Sequence, residues 1–259
     1  MVFEQLCKEL SSLKEVEALA LGGSRATNSH DEKSDYDLYV YITAAIDEKI
    51  RRVILERYCK YLEIGNAFWE LEDDCLLNDD IPIDIIYRDL ADFAKGLKRT
   101  VIDEEASNAY TTCFYHNLQN AKIIYDEKGR LAALKKRYDI PYPDGLRRNI
   151  IKRGLDLLSG KLPSYDLQLI KAVSRKDFFS INHRTTAFLE TYFDVIFAIN
   201  RVSNPGEKRI LEKTKATCKL LPKDYERNVM RLLNRQYENE EGVTILLGEM
   251  VDNLKGIID

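Results

Sequence analysis

The chain has 259 residues, 45% of them hydrophobic and 32% charged, and carries a formal net charge of −4. That length suffices for one large domain or two of ordinary size, and a composition with only 12 Gly and 6 Pro excludes the disordered and fibrous classes. No apolar run of about 18 residues occurs, so no membrane span is expected, and five scattered cysteines without a CxxC pair predict reduced thiols rather than a disulfide framework.

The small net charge hides a division. Residues 1–129 carry a balance of −11, residues 130–235 one of +12, and residues 236–259 one of −5. An acidic stretch able to hold cations therefore precedes a basic stretch able to attract polyanions. The three histidines, His30, His116 and His183, are too far apart in the chain to read as a zinc pattern. The first residues, MVFEQLCKEL, carry acids and lack the basic start and apolar centre of a signal peptide, so a cytoplasmic location is expected.

In chain order, residues 2–14 place Val2, Leu6, Leu10 and Leu13 at helical spacing. VEALALGG (16–23) reads as a short strand ending in a glycine turn, and DYDLYVYI (35–42) as a strand rich in β-formers. Residues 46–63 return to helical periodicity. AFWELE (67–72) and IPIDIIYR (81–88) read as two more strands, with Trp69 expected in packing, and Asp89 is placed to cap a helix over 89–105. Beyond about residue 107 the strand signal fades. Segments 107–122, 146–159, 164–175, 185–201, 206–220, 223–236 and 242–257 all fit helices. The expected architecture is α+β: an N-terminal domain over 1–105 and an all-helical domain over 106–259.

The chemistry concentrates in LGGSRATNSHDEKSDYDLYVY (21–41). Glycine lets the backbone approach a ligand closely, and amides at a helix start bind phosphate. Ser24 adds a hydroxyl there and Arg25 a cation. Asp35 and Asp37 are residues i and i+2 of one strand, so their carboxylates share a face. Such a pair repels itself unless a cation intervenes, and Mg²⁺ suits it, taking oxygen ligands while keeping positions for substrate phosphates. Asp84 stands between Ile83 and Ile85, where a lone carboxylate needs a partner. If its strand lies beside 35–42, Asp84 joins the pair.

GGSRA followed by SDYDLYVY, with the later Asp84, resembles the DNA polymerase β superfamily of nucleotidyltransferases. The likeness is to its small-molecule branch, which includes enzymes acting on lincosamides and aminoglycosides. It covers residues 16–88. A second segment, FAINRVSNPGEKR (197–209), resembles part of uncharacterised bacterial members. One departure is Asn28, where many relatives carry glycine; Asn tolerates left-handed backbone better than most residues. The resemblance implies a mixed sheet flanked by helices. It implies that Asp35 and Asp37 hold Mg²⁺ on a nucleoside triphosphate, with ATP the expected donor. Asp84 then completes a two-metal site near the attacking hydroxyl. Gly22, Gly23, Ser24 and Arg25 become nucleotide-binding candidates, with Gly23 and Ser24 on the β- and γ-phosphates. A hydroxyl of the acceptor attacks the α-phosphorus and pyrophosphate leaves.

The acceptor is expected to be a small molecule bound at a domain junction. On helix 185–201, Glu190 and Asp194 are i and i+4 among aromatic residues, placed to recognise a cationic acceptor, act as a base, or pair with nearby Arg or Lys. Asp84 is itself a candidate base. Arg201, Lys208 and Arg209 are phosphate candidates or ordinary helix-boundary charges. The basic 130–235 region permits RNA, but no recognised RNA module occurs there, so nucleic acid is not the expected partner. Transfer to RNA or protein, and a nucleotide-binding regulator without turnover, are the alternatives.

Overall fold

Apolar residues Phe3, Leu6, Cys7 and Leu10 line one stripe of the first helix, α1 (Val2–Leu10), and all four are buried. Through them α1 packs onto a six-stranded sheet. The computed structural model describes residues 1–26, 34–237 and 239–258. Asn28 and His30 lie outside those residues. The chain falls into two compact units: residues 1–98 with 117–140, and residues 99–116 with 141–259.

In the first unit the strands are β1 (Val16–Leu21), β2 (Tyr36–Ile42), β3 (Cys59–Asn66), β4 (Leu71–Leu77), β5 (Pro82–Asp89) and β6 (Lys122–Asp126), in the spatial order β3-β4-β5-β2-β1-β6. β2 and β5 are parallel and the remaining pairs are antiparallel, which makes the sheet mixed. Successive side chains alternate between faces. One face carries Leu19 and Leu21, Leu38 and Val40, Ile83 and Ile85, and Cys75 and Leu77. These pack against α1 and against Ile54 and Leu55 of α3 (Glu48–Tyr58) as one buried cluster. The same face takes in a buried ion pair: Asp73, fully buried, is paired to Arg51 of α3 and accepts hydrogen bonds from Tyr87 Oη at 2.9 Å and Gly65 N at 2.9 Å. The opposite face is the one that bears Asp37 and Asp84.

Several elements depart from the sequence reading: the helix expected over 185–201 already starts at Phe178, and a helix over Arg130–Arg137 lies between the expected ones. The helix expected over 46–63 ends at Tyr58, and Cys59 turns extended at φ −124° and ψ 141°. No Gly or Pro marks that break, and the alternation of β3 was hidden behind the helical spacing before it. The strand expected over 67–72 begins only at Leu71 and runs to Leu77. Trp69 therefore stands at the turn before β4, 91% exposed, and not in packing. β6 lies inside the stretch expected to be helical. Its KIIYD is too short an apolar run to separate from a helix by periodicity. Asp89 does cap its helix, α4 (Leu90–Leu97), accepting from Asp92 N at 2.9 Å.

The second unit is largely helical and centres on the long helix Phe178–Ile199, buried without interruption from Thr191 to Ile199. TYFDVIFAI is apolar nearly all round, as a helix enclosed by others must be. Helices over Asp144–Leu158, Tyr165–Ser174, Tyr225–Arg235 and Glu240–Lys255 contribute Leu146, Leu169, Leu232 and Leu247 to its cluster.

Candidate active site

β1 ends at Leu21, and Gly22 N donates to Asp37 O at 2.8 Å, so the chain leaves the sheet at the start of β2. Gly22 has no room for a side chain: an ideal Cβ would lie 2.5 Å from Cε2 of Tyr39. Gly23 then takes φ +57°, a left-handed conformation open mainly to glycine. Its own missing Cβ would fall 1.7 Å from Oδ2 of Asp37. The sequence Gly-Gly-Ser thus brings a bare backbone turn directly against a carboxylate, with Ser24 next along the short helical turn α2 (Gly23–Ala26).

Register supplies the second half. Asp37 pairs with Asp84 across the parallel β2/β5 ladder, and Asp84 pairs with Asp74 across the antiparallel β4/β5 ladder. Directly paired residues share a face, so the three carboxylates stand in a row across the sheet. Asp35 precedes β2, and its charge also reaches Asp84. Burial pushes the Asp84 carboxyl up to about 6, helped by the negative charges of Asp35, Asp37, Asp74 and Glu72. Glu72, one pleat along β4, is itself raised by burial and by Asp74 and Glu70. The structure therefore brings Asp84 beside the pair, as the sequence reading expected of its strand.

Asp74 and Glu72 were missed. The signal was present as a second i, i+2 carboxylate pair in LEDDC, but ending that strand at residue 72 left its register unread. Asn66 Nδ2 holds Asp74 Oδ2 at 3.1 Å. Further along the same face, Arg88 makes a two-pronged contact with Glu70 at 2.7 and 2.6 Å and lies over the Tyr39 ring at 4.1 Å.

Arg25 is already engaged. Its Nε donates to Ser34 O at 2.9 Å and Asp35 O at 3.0 Å, and its Nη2 donates to Ser34 O at 2.6 Å. The guanidinium lies over the Tyr36 ring at 4.1 Å.

The donor set suits a hard divalent cation. It is all oxygen, and a bound cation would offset the burial and the neighbouring negative charges that raise the Asp84 carboxyl. Among the described residues, no three metal-ligating side chains already stand together as the ligands of one ion.

The candidates of the second unit separate. Asp194 is 3% exposed and fully engaged inside the unit: it accepts from Thr111 N at 3.2 and 3.3 Å, Thr111 Oγ1 at 2.7 Å and Asn204 Nδ2 at 2.9 Å. Burial raises its carboxyl, against the pull of those hydrogen bonds. Asn204 in turn receives Gly206 N at 3.0 Å and donates its own N–H to Thr112 Oγ1 at 2.8 Å, which knots the SNPG segment. Glu190 is half-buried and accepts from Tyr110 Oη at 3.3 Å; burial and then the charge of Glu207 raise its carboxyl, against the pull of that hydrogen bond. Although i and i+4, the two acids therefore differ: Asp194 is interior and Glu190 partly open. Lys208, Arg209 and His183 are exposed. Arg201 pairs with Asp144 at 2.6 Å. His116 meets Ser203 Oγ at 2.9 Å, and burial lowers its pKa.

Comparison with known proteins adds two matches along the chain. Residues 3–106 match the family model described as "Nucleotidyltransferase domain", and residues 111–210 match one described as "Domain of unknown function (DUF4037)". No curated protein matches. Among solved structures, the chain is similar to a nucleotidyltransferase-like protein from Exiguobacterium sibiricum at 12% identity and TM-score 0.44, over 98% of this chain and 74% of that one. An aminoglycoside 6-adenyltransferase from Bacillus subtilis follows at 8% and 0.31, over 99% and 89%. A spectinomycin adenyltransferase from Enterococcus faecialis, with ATP and spectinomycin, stands at 14% and 0.30, over 98% and 97%. At identities of 8–14% and TM-scores of 0.30–0.44, these structures carry no argument about function.

Proposed function

We propose that residues 3–106, which match a nucleotidyltransferase domain model, move a nucleoside monophosphate from a nucleoside triphosphate, ATP first, to a hydroxyl of a small molecule, releasing pyrophosphate. The observation that carries this reading is the pairing of Asp37 with Asp84 at the point where Asp37 also meets the bare backbone of Gly23. Phosphate-binding turn and carboxylates are thereby one site.

Asp35, Asp37 and Asp84 would hold Mg²⁺, which supplies charge neutralisation for the triphosphate and for the attacking oxygen. The amides of Gly23 and Ser24, with the Ser24 hydroxyl, bind the β- and γ-phosphates and hold the leaving group in line. Gly22 keeps the backbone low beneath them. Asp84, poised at about 6, takes the proton of the acceptor hydroxyl on its carboxylate. Positioning supplies much of the remaining rate. On the acceptor side, Glu190 is the partly open carboxylate of the helical unit and Lys208 an exposed cation; Asp194 acts there only by holding residues 111 and 204. The acceptor class follows the small-molecule branch that the GGSRA and SDYDLYVY motifs resemble.

The test is a panel of hydroxyl compounds, including amino sugars and lincosamides, incubated with α-labelled ATP and Mg²⁺ and read by mass spectrometry for a nucleotidyl adduct. A labelled small molecule formed by the wild type and lost in D35N and D37N is expected. Labelling of RNA or protein instead overturns the acceptor class, and undiminished turnover in both variants overturns the site.

A further inference from the structure

We infer that Arg25 is a positioning residue that fixes Asp35, and not a ligand of the nucleotide phosphates. The inference rests on the site proposed above and assigns one of its residues a different task.

Ser34 and Asp35 precede β2 and lie outside its ladder, so their carbonyls need donors from elsewhere. One guanidinium meets both. Its Nε–H is shared between Ser34 O and Asp35 O, at 2.9 and 3.0 Å, and Nη2–H reaches Ser34 O at 2.6 Å. Hydrogen bonds from a charged donor are about twice as strong as neutral ones, and a planar fork fixes the angle as well as the distance. The fork is held from below. Arg25 lies 4.1 Å from the centroid of the Tyr36 ring, and Tyr36 stacks on Phe3 of α1 with centroids 4.0 Å apart and planes 5° apart. Phe3, Tyr36 and Arg25 therefore form a three-layer stack that reaches from the helix beneath the sheet to the carbonyl of Asp35.

The consequence is geometric. Arg25 follows the phosphate turn by one residue, and Asp35 opens the carboxylate strand. One side chain thus ties the two halves of the site together, whatever the path of the chain between them. Two of the five guanidinium N–H groups go to these carbonyls and its flat face rests on the Tyr36 ring, so the fork is oriented toward the start of β2. Lysine cannot replace it: an ammonium is a point charge without the planar fork.

The experiment compares wild type with R25A, R25K and R25Q. Glutamine keeps a planar donor on Tyr36, so one variant folds if truncation does not, as melting temperature will show. Three readouts are taken: hydrogen exchange at the amides of residues 34–37, Mn²⁺ affinity by titration without nucleotide, and kcat and KM for ATP. Expected are exchange at least about tenfold faster at 34–37, Mn²⁺ affinity weaker by about 10-fold or more, and kcat lowered by about 10- to 100-fold, the range found when residues that orient metal ligands are removed. KM for ATP should stay within about twofold, and R25K should not rescue. Unchanged exchange at 34–37, or a KM raised about tenfold with Mn²⁺ affinity intact, overturns the assignment. If the wild type neither binds Mn²⁺ nor turns over ATP, the reading of the site fails, while the exchange measurement still decides whether Arg25 fixes Asp35.

Discussion

The carboxylate of Asp37 fills the space that a side chain on Gly23 would need: an ideal Cβ there lies 1.7 Å from Asp37 Oδ2. Gly23 is constrained twice, because its φ of +57° also disfavours any residue with a Cβ. Gly23→Ala should therefore cost about 1–2 kcal/mol in backbone strain and, in addition, push Asp37 away from Asp84. A displacement of about 1 Å at reacting groups can lower a rate about 100-fold. The expected result is a modest fall in melting temperature with a disproportionate loss of kcat. Gly23→Ala with normal kcat would mean that Asp37 does not need its present position.

Asp84 gives a prediction with a sign. Its carboxyl is raised from the ordinary 3.8 to about 6 by burial and by its acidic neighbours. A carboxyl raised in the folded state favours the fold when protonated. That contribution is full below about 3.8 and is lost as pH rises through about 6. At neutral pH, without divalent cation, ionised Asp84 is thus a destabilising group. Asp84→Asn should raise the melting temperature in EDTA at pH 7, by an amount that shrinks below pH 5, while abolishing nucleotidyl transfer. In wild type, Mg²⁺ should recover part of the same stability. A thermal shift series over pH 4–8 with and without Mg²⁺ decides it; equal melting temperatures throughout would remove the strain from Asp84.

How far the sequence shows this site depends on what a period of two can convey. Asp35 and Asp37 share a face by spacing alone, and Asp84 is conspicuous because Ile83 and Ile85 flank it. Their pairing is not local: the register of β2 against β5 is set after an intervening helix and two strands. The acids of β4 were less accessible still. Glu72, Asp73 and Asp74 are three consecutive carboxylates, and no residue type says which of them faces inward; that depends on a strand start at Leu71 and not at Ala67. In the helical unit the i, i+4 spacing of Glu190 and Asp194 predicts one shared face. The pattern carries no mark that residues 111 and 204 would claim Asp194 for the interior.

Asp73 and Asp74 then make a paired test, since adjacent residues of β4 point to opposite faces. Asp73 is buried among apolar side chains with Arg51, Tyr87 Oη and Gly65 N as its partners. Asp74 lies on the other face, paired in register with Asp84 and held by Asn66. Removing one member of a buried ion pair leaves the other charge stranded and costs about 3–5 kcal/mol. Asp73→Ala should therefore lower unfolding free energy by about that amount in urea titration, with activity lost only as the folded fraction falls. Asp74→Asn keeps the shape and should leave stability within about 1 kcal/mol, since it removes a charge from a crowded acidic face. Its effect belongs to the reaction: with one like charge gone, Asp84 ionises more readily, and the acidic limb of the pH–rate profile moves to lower pH. Should Asp74→Asn unfold the protein while Asp73→Ala leaves it intact, the assignment of the two faces of β4 is reversed, and with it the row of carboxylates on which the site is built.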